Sequence, residues 1–220
     1  MERLTPAAVV VFDLDSTVLD NRPRQAQILR DFGSLRGQLG FAAVTAAHFE
    51  DWDLRKALLR AGVASETVES LYPDLRAFWL RWFFTDAYCH CDIPIRGAPE
   101  FLAEVSRTGA KLVYLSGRPQ TMIAGTLRSL STHGFPSQGP TVTVMLKPDP
   151  LMMDDVWKAR ACASISALGP VIAAFDNEPT HINAYRVAWP DAICVHLDTD
   201  HSNRPVALLP DIHVIPDFAV

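Results

Sequence analysis

The feature that most narrows the fold is a regular alternation after Gly97. Short apolar runs at residues 111–115, 141–145, 171–175 and 192–197 are separated by stretches of helical character at residues 99–108, 120–130, 154–168 and 179–189. A further apolar run at residues 9–13 precedes them, and residues 212–215 read as an edge strand. Unbroken apolar runs are expected of strands buried on both faces. Strands that alternate with helices of this length form a parallel sheet with helices on both sides. Gly109 and Gly169-Pro170 supply helix stop signals, and Pro179 sits at the start of the last helix. The expected fold class is α/β, a Rossmann-like parallel sheet covered on both faces.

Between Asp20 and about Ile95 the character changes. β-branched runs disappear and helical periodicity replaces them. Residues 55–60 and 65–71 read as short helices separated by Gly62. A clearer helix is expected from Pro73, where Leu75, Phe78, Trp79, Trp82 and Phe83 recur at one-face spacing. Such an aromatic stripe ordinarily marks packing. The segment is expected to be an inserted α-helical subdomain, residues 21–93, within an α/β core formed by residues 1–20 and 94–220.

The 220 residues, about half of them apolar, suffice for one substantial core or a core plus a smaller lid. A formal net charge of −5 offers no basic surface for nucleic acid or an anionic membrane. No apolar run is long enough to span a bilayer, and the N-terminal residues lack the pattern of a signal peptide. A cytoplasmic location is the default expectation. Four cysteines, Cys89, Cys91, Cys162 and Cys194, are too few for a disulfide framework. Cys89-His90-Cys91 has no second Cys/His pair at ligand spacing, so it is not read as a metal site.

In parallel α/β sheets, ligands bind beyond the carboxyl ends of the strands. The first run ends in Asp13-Leu14-Asp15-Ser16-Thr17, the second in Ser116-Gly117-Arg118-Pro119, and the fourth in Asp176-Asn177-Glu178. Lys158 lies in the first turns of the helix that feeds the fourth. Carboxylates converging at one sheet edge repel one another, and a hard divalent cation relieves that cost. Oxygen ligands with retained waters suit Mg²⁺. An aspartate after a strand also serves as a helix N-cap, which accounts for any one of these residues but not for the set.

These motifs, in this order, resemble those of the haloacid dehalogenase (HAD) superfamily. Asp13-Leu14-Asp15-Ser16-Thr17-Val18 resembles its first motif and Leu115-Ser116-Gly117-Arg118 its second. Lys158 resembles the third motif, and Phe175-Asp176-Asn177-Glu178-Pro179 the fourth. The likeness covers residues 1–20 and 97–220. It implies a phosphatase in which Asp13 attacks phosphorus and Asp15 is the general acid and base. Ser116 and Gly117 would bind the phosphoryl group, and Lys158 would neutralise charge and fix Asp13. Mg²⁺ would be held by the Asp13 side chain, the Asp15 backbone carbonyl and the Asp176 side chain. Aspartate at position 15 favours phosphate-ester chemistry over dehalogenation. Nearby Asp13 is expected to raise the pKa of Asp15.

The fourth motif departs from the family pattern, and Asn177 or Glu178 is a further metal-ligand candidate. Lys147 is the rival to Lys158. A helical cap implies a closed site and a small phosphorylated substrate. Arg22, Arg24, His48, Asp51, Trp52 and Arg55 are the candidates to face it. His181 is expected at the surface, and His201 is a candidate to line the pocket. The leading reading is a Mg²⁺-dependent phosphatase of a small metabolite. Alternatives are a phosphomutase or phosphotransferase with the same motifs, or a non-catalytic phospho-accepting protein. The sequence does not address oligomeric state.

Overall fold

A computed structural model describes residues 5–219. The apolar run after Ala8 forms β1 (Val9–Phe12), whose four residues are all buried. Successive side chains of a strand point to opposite faces. Val10 and Phe12 accordingly join one core layer with Leu102, Val105 and Leu130, while Val9 and Val11 join another with Ala161, Ile165 and Ile182. The first layer is covered by α4 (Ala98–Arg107) and α5 (Ile123–Thr132), the second by α6 (Asp154–Ser166) and α7 (Pro179–Ala188).

The sheet comprises β1, β4 (Lys111–Pro119), β5 (Val142–Lys147), β6 (Val171–Asp176), β7 (Ile193–Leu197) and β8 (His213–Ile215). Its spatial order is β5-β4-β1-β6-β7-β8, and every neighbouring pair is parallel. The chain builds outward from β1 first on one side and then on the other. The carboxyl end of β1 is therefore the switch point at which such sheets form a crevice. Phe12 lies in register with Tyr114 on one side and Phe175 on the other, which brings the three motif-bearing strand ends together.

Two departures from the expected elements have physical causes. The second strand continues past Leu115 to Pro119, with a register shift against β5 between Ser116 and Pro119. Such a bulge re-aims the side chains of the irregular residues. The helix expected from Pro73 is also the continuation of the one before it, since α3 (Ser65–Phe83) runs unbroken with Pro73 inside. Proline removes one backbone donor, but Val68 and Leu75 are buried on either side of it and hold the two halves on one core.

The insertion leaves the core after β2 (Leu19–Asp20) and returns at β3 (Ile93–Pro94). These two-residue strands pair antiparallel, Leu19 with Pro94 and Asp20 with Ile93, so both ends of the insertion are fixed at one place. Between them lie α1 (Arg22–Leu35), α2 (Leu54–Arg60), α3 and short 3₁₀ turns. Asp53 caps α2 by accepting from the amides of Arg55 and Lys56. The insertion has its own apolar cluster, built on Leu29, Phe32, Phe41, Leu58 and Leu75, separate from both layers of the sheet.

Gly97 turns the returning chain into α4 at φ +77°, and a Cβ there would lie 2.6 Å from the backbone of Phe218 and Ala219. Backbone cannot swing aside as a side-chain tip can. Gly97→Ala is expected to lower stability by about 1–3 kcal/mol, measured by chemical denaturation. A stability equal to the parent's would mean that the C-terminal segment does not pack against this turn.

Candidate active site

Asp13 emerges directly from β1, its amide donating to the Phe175 carbonyl at 2.9 Å. Its carboxylate accepts from Lys158 Nζ at 2.7 Å and from Thr17 Oγ1 at 3.2 Å. The same ammonium donates to Asp176 Oδ2 at 2.8 Å. Lys158 is 4% exposed, Asp13 4% and Asp176 0%. One buried ammonium shared by two buried carboxylates leaves one of them under-compensated. Burial, with the charges of Asp176 and Asp15, pushes Asp13 up to about 7 against the pull of Lys158. Burial also works to raise Asp176, but Lys158 and His181 outweigh it and hold Asp176 well below the usual carboxylate range. For Lys158 itself, burial is outweighed by the two carboxylates, which hold the ammonium charged. The rival lysine, Lys147, donates to Asp154 Oδ1 at 2.7 Å instead.

Asp15 corrects the expectation of a raised pKa. Arg118 grips its carboxylate with two bonds, Nε to Oδ2 at 2.8 Å and Nη2 to Oδ1 at 2.7 Å. Arg24, from α1 of the insertion, donates to Oδ1 as well. Burial works to raise Asp15, yet the two guanidinium groups outweigh it and hold the carboxyl well below the usual range. Both arginines also reach Asp92, through Arg118 Nη2 at 2.7 Å and Arg24 Nε at 3.0 Å. The result is a closed ring of two carboxylates and two guanidiniums that ties the insertion, its return strand and the core together. The sequence reading gave Arg118 and Asp92 no role. Arg118 was visible as the last motif residue at a strand end, whereas nothing in the isolated Asp92 signalled its place.

Ser116 is buried, and its Oγ accepts from the Arg118 amide at 3.2 Å. At Gly117 a Cβ would fall 2.4 Å from Asp154 Oδ2, so the strand end approaches the start of α6 closely. Asn177 is pinned, its backbone amide donating to Thr17 Oγ1 at 3.1 Å and its side chain donating to the Asp200 carbonyl at 2.7 Å. Glu178 is held by Ser202 and Arg204, with Oε1 accepting from Ser202 Oγ at 2.8 Å and Arg204 Nη2 at 3.1 Å. His181 is 8% exposed rather than at the surface, and its Nε2 lies 2.8 Å from Asp155 Oδ1. His201 does not line the cavity above these residues.

That cavity, about 180 Å³, lies over the strand ends. Asp13, Asp15, Ser116, Gly117 and Lys158 form its floor, and insertion residues Arg24, Trp52, Trp79, Phe83 and Phe84 contribute to its walls. Of the other insertion candidates, Arg22 pairs with Asp20, and His48 bonds the Thr45 amide. Asp51 pairs with Lys56, and Arg55 with Glu69. The aromatic stripe of α3 divides. Phe78 and Trp79 pack on the insertion's apolar cluster, while Trp79 and Phe83 also face the cavity.

The donor set can be tested against a divalent cation. Four carboxylates, Asp13, Asp15, Asp92 and Asp176, face three cationic side chains, Lys158, Arg24 and Arg118. The under-compensated one is Asp13. No group of three or more His, Cys, Asp or Glu side chains gathers as a metal site among the described residues. A magnesium ion needs no such group, since one or two carboxylates with main-chain oxygen and waters suffice. Asp13 and Asp176 fit that requirement. Glu178, committed to Ser202 and Arg204, does not. The cysteines are free, and none belongs to a metal cluster among the described residues.

No protein-family profile and no curated protein matches the chain. Solved structures do. A "predicted phosphoglycolate phosphatase" from Haemophilus somnus superposes with TM-score 0.59 at 15% identity, covering 98% of this chain and 96% of that one. A HAD-superfamily hydrolase from Ehrlichia chaffeensis gives TM-score 0.52 at 11% identity, covering 96% and 91%. A haloacid dehalogenase-like hydrolase from Streptococcus pneumoniae gives 0.51 at 11% identity, covering 87% and 85%. Likenesses at such identities concern architecture and extend over nearly the whole chain, insertion included. The chain has the fold of the haloacid dehalogenase superfamily of hydrolases.

Proposed function

We propose that this protein is a magnesium-dependent phosphohydrolase acting on a small phosphate monoester through an aspartyl-phosphate on Asp13. The observation that carries the reading is the shared Lys158 ammonium, bonded to Asp13 and Asp176 at 2.7 and 2.8 Å beneath a walled cavity. The bond fixes one Asp13 oxygen, and Asp13 forms part of the cavity floor.

In the first step an Asp13 oxygen attacks phosphorus, the ester P–O bond breaks, and the alcohol leaves with a proton. In the second, water attacks the same phosphorus, the Asp13–phosphorus bond breaks, and phosphate departs. A carboxylate nucleophile divides one difficult displacement into two easier ones. Ser116 Oγ and the backbone at Gly117 would donate to the phosphoryl oxygens, and Lys158 would offset the charge that develops there. Mg²⁺, held by the Asp13 and Asp176 side chains and the Asp15 carbonyl, would shield the nucleophile from its anionic substrate. Asp15 is the acid and then the base. Clamped by Arg24 and Arg118 it is a base, and giving a proton to the alcohol requires release from one of them. Arg24 is the arginine carried by the insertion, so movement of residues 21–93, acting as a cap over the 1–20 and 94–220 core, would change the state of Asp15.

Phosphate release from a panel of small phosphate esters, with and without Mg²⁺, tests the reading. Metal-dependent release is expected. Transfer of the phosphoryl group to an added alcohol without phosphate release would assign a phosphotransferase instead.

A further inference from the structure

The wall of the cavity is aromatic on the insertion side. Trp79 stacks on Phe83 with centroids 4.3 Å apart and planes at 18°. Phe84 stands edge-on to both, 5.0 Å from Phe83 and 5.9 Å from Trp79. Trp52 closes the wall from a separate loop, its indole N–H donating to Asp200 Oδ2 across the cleft at 3.0 Å. Phe84 and Trp52 remain 39% and 49% exposed, and both line the cavity.

Every cation that lines the cavity is already committed. Lys158 serves Asp13 and Asp176. Arg118 and Arg24 each serve Asp15 and Asp92. His181 bonds Asp155. The Arg24 guanidinium is further covered by the Phe83 ring at 4.3 Å. A substrate with a second anionic group, such as a carboxylate on its leaving alcohol, would find no free positive partner and would lose its hydration. A flat uncharged ring would gain stacking and edge contacts.

We infer that the leaving group read by this cavity is a neutral aromatic alcohol, held by Trp79, Phe83, Phe84 and Trp52. The inference rests on the phosphohydrolase reading for its floor and on the insertion residues for its specificity. It departs from a carboxylate-bearing substrate such as phosphoglycolate, the compound named for one structural neighbour.

The test compares benzyl phosphate, butyl phosphate and 2-phosphoglycolate with the full-length protein and Mg²⁺. The first two leave as alcohols of similar basicity, so a difference between them reports recognition rather than intrinsic reactivity. Benzyl phosphate is expected to exceed both others in kcat/KM by about tenfold or more. Trp79→Leu is expected to lower the benzyl-to-butyl ratio about tenfold, through KM. Phe84→Leu, at a more exposed position, is expected to lower it in the same direction should Trp79→Leu fail to fold. In parallel, calorimetry on Asp13→Asn compares benzylphosphonate with butylphosphonate and phosphonoacetate, with the aromatic ligand expected to bind most tightly. Turnover with butyl phosphate or phosphoglycolate equal to or above benzyl phosphate would overturn the inference and leave the phosphohydrolase reading standing. Selective binding of benzylphosphonate with no ester turned over would do the reverse. Tightest binding of phosphonoacetate would overturn the inference by itself.

Discussion

Asp13→Asn is expected to lower turnover by about 10⁴-fold or more while the fold persists. Asparagine keeps the shape of the side chain and an oxygen for Lys158 Nζ, and Lys158 keeps Asp176. What is lost is the nucleophile. Stability is expected to hold or rise, because burial and neighbouring charge push the Asp13 carboxyl up to about 7. A carboxylate whose folded pKa lies above its unfolded value costs folding free energy once pH exceeds the unfolded value, and the neutral amide removes that cost. Thermal unfolding with and without Mg²⁺ adds a readout independent of turnover. Stabilisation of the parent by Mg²⁺ is expected to disappear in the variant. A fully active Asp13→Asn would remove the nucleophile assignment.

Arg118→Met is expected to have the largest effect on stability, about 3–5 kcal/mol in denaturant unfolding. The Arg118 side chain is 1% exposed and donates to Asp15, Asp92 and Thr126. Its removal leaves two carboxylates with Arg24 as their remaining shared guanidinium, and Asp92 is wholly buried. Arg118→Lys is expected to recover only part of the loss, because a single ammonium cannot span the two oxygens that the planar fork spans. The double variant with Arg24→Met should cost less or more than the sum of the singles, since both arginines bind the same two acids. Additive costs would mean that the four groups do not act as one ring.

The parallel sheet was readable because strands buried on both faces are mostly apolar, as β1 is throughout, β6 is up to Asp176 and β7 is apart from His196. The strand-end residues Asp13, Ser116 and Asp176 were readable for a related reason, since polar groups interrupt such runs abruptly. The position of Lys158 followed from its place in the first turns of α6. The ring around Asp15 was not readable. Its members lie at positions 15, 24, 92 and 118, on four different segments, and their proximity depends on how the insertion folds back. For the same reason the neighbouring Asp13 suggested the wrong direction for the Asp15 pKa, because two arginines at contact outweigh one acid further off. Glu178 was a candidate ligand until Ser202 and Arg204, beyond the next strand, proved to hold it. The β2–β3 ribbon gave no signal, with two residues per strand and a proline among them.

The insertion emerges as more than a cover. Its helix α1 supplies Arg24 to Asp15, and the end of α3 supplies the rings over the cavity. One structural unit thus supplies both an arginine for Asp15 and the aromatic wall of the cavity.

The most direct measurement is the mass of the protein quenched in acid during turnover of a phosphate ester with Mg²⁺, followed by peptide mapping. One added phosphoryl group on Asp13, absent from Asp13→Asn, is the expected result. Steady phosphate release with unmodified Asp13 in every quenched sample, or a phosphoryl group on another residue, would contradict it.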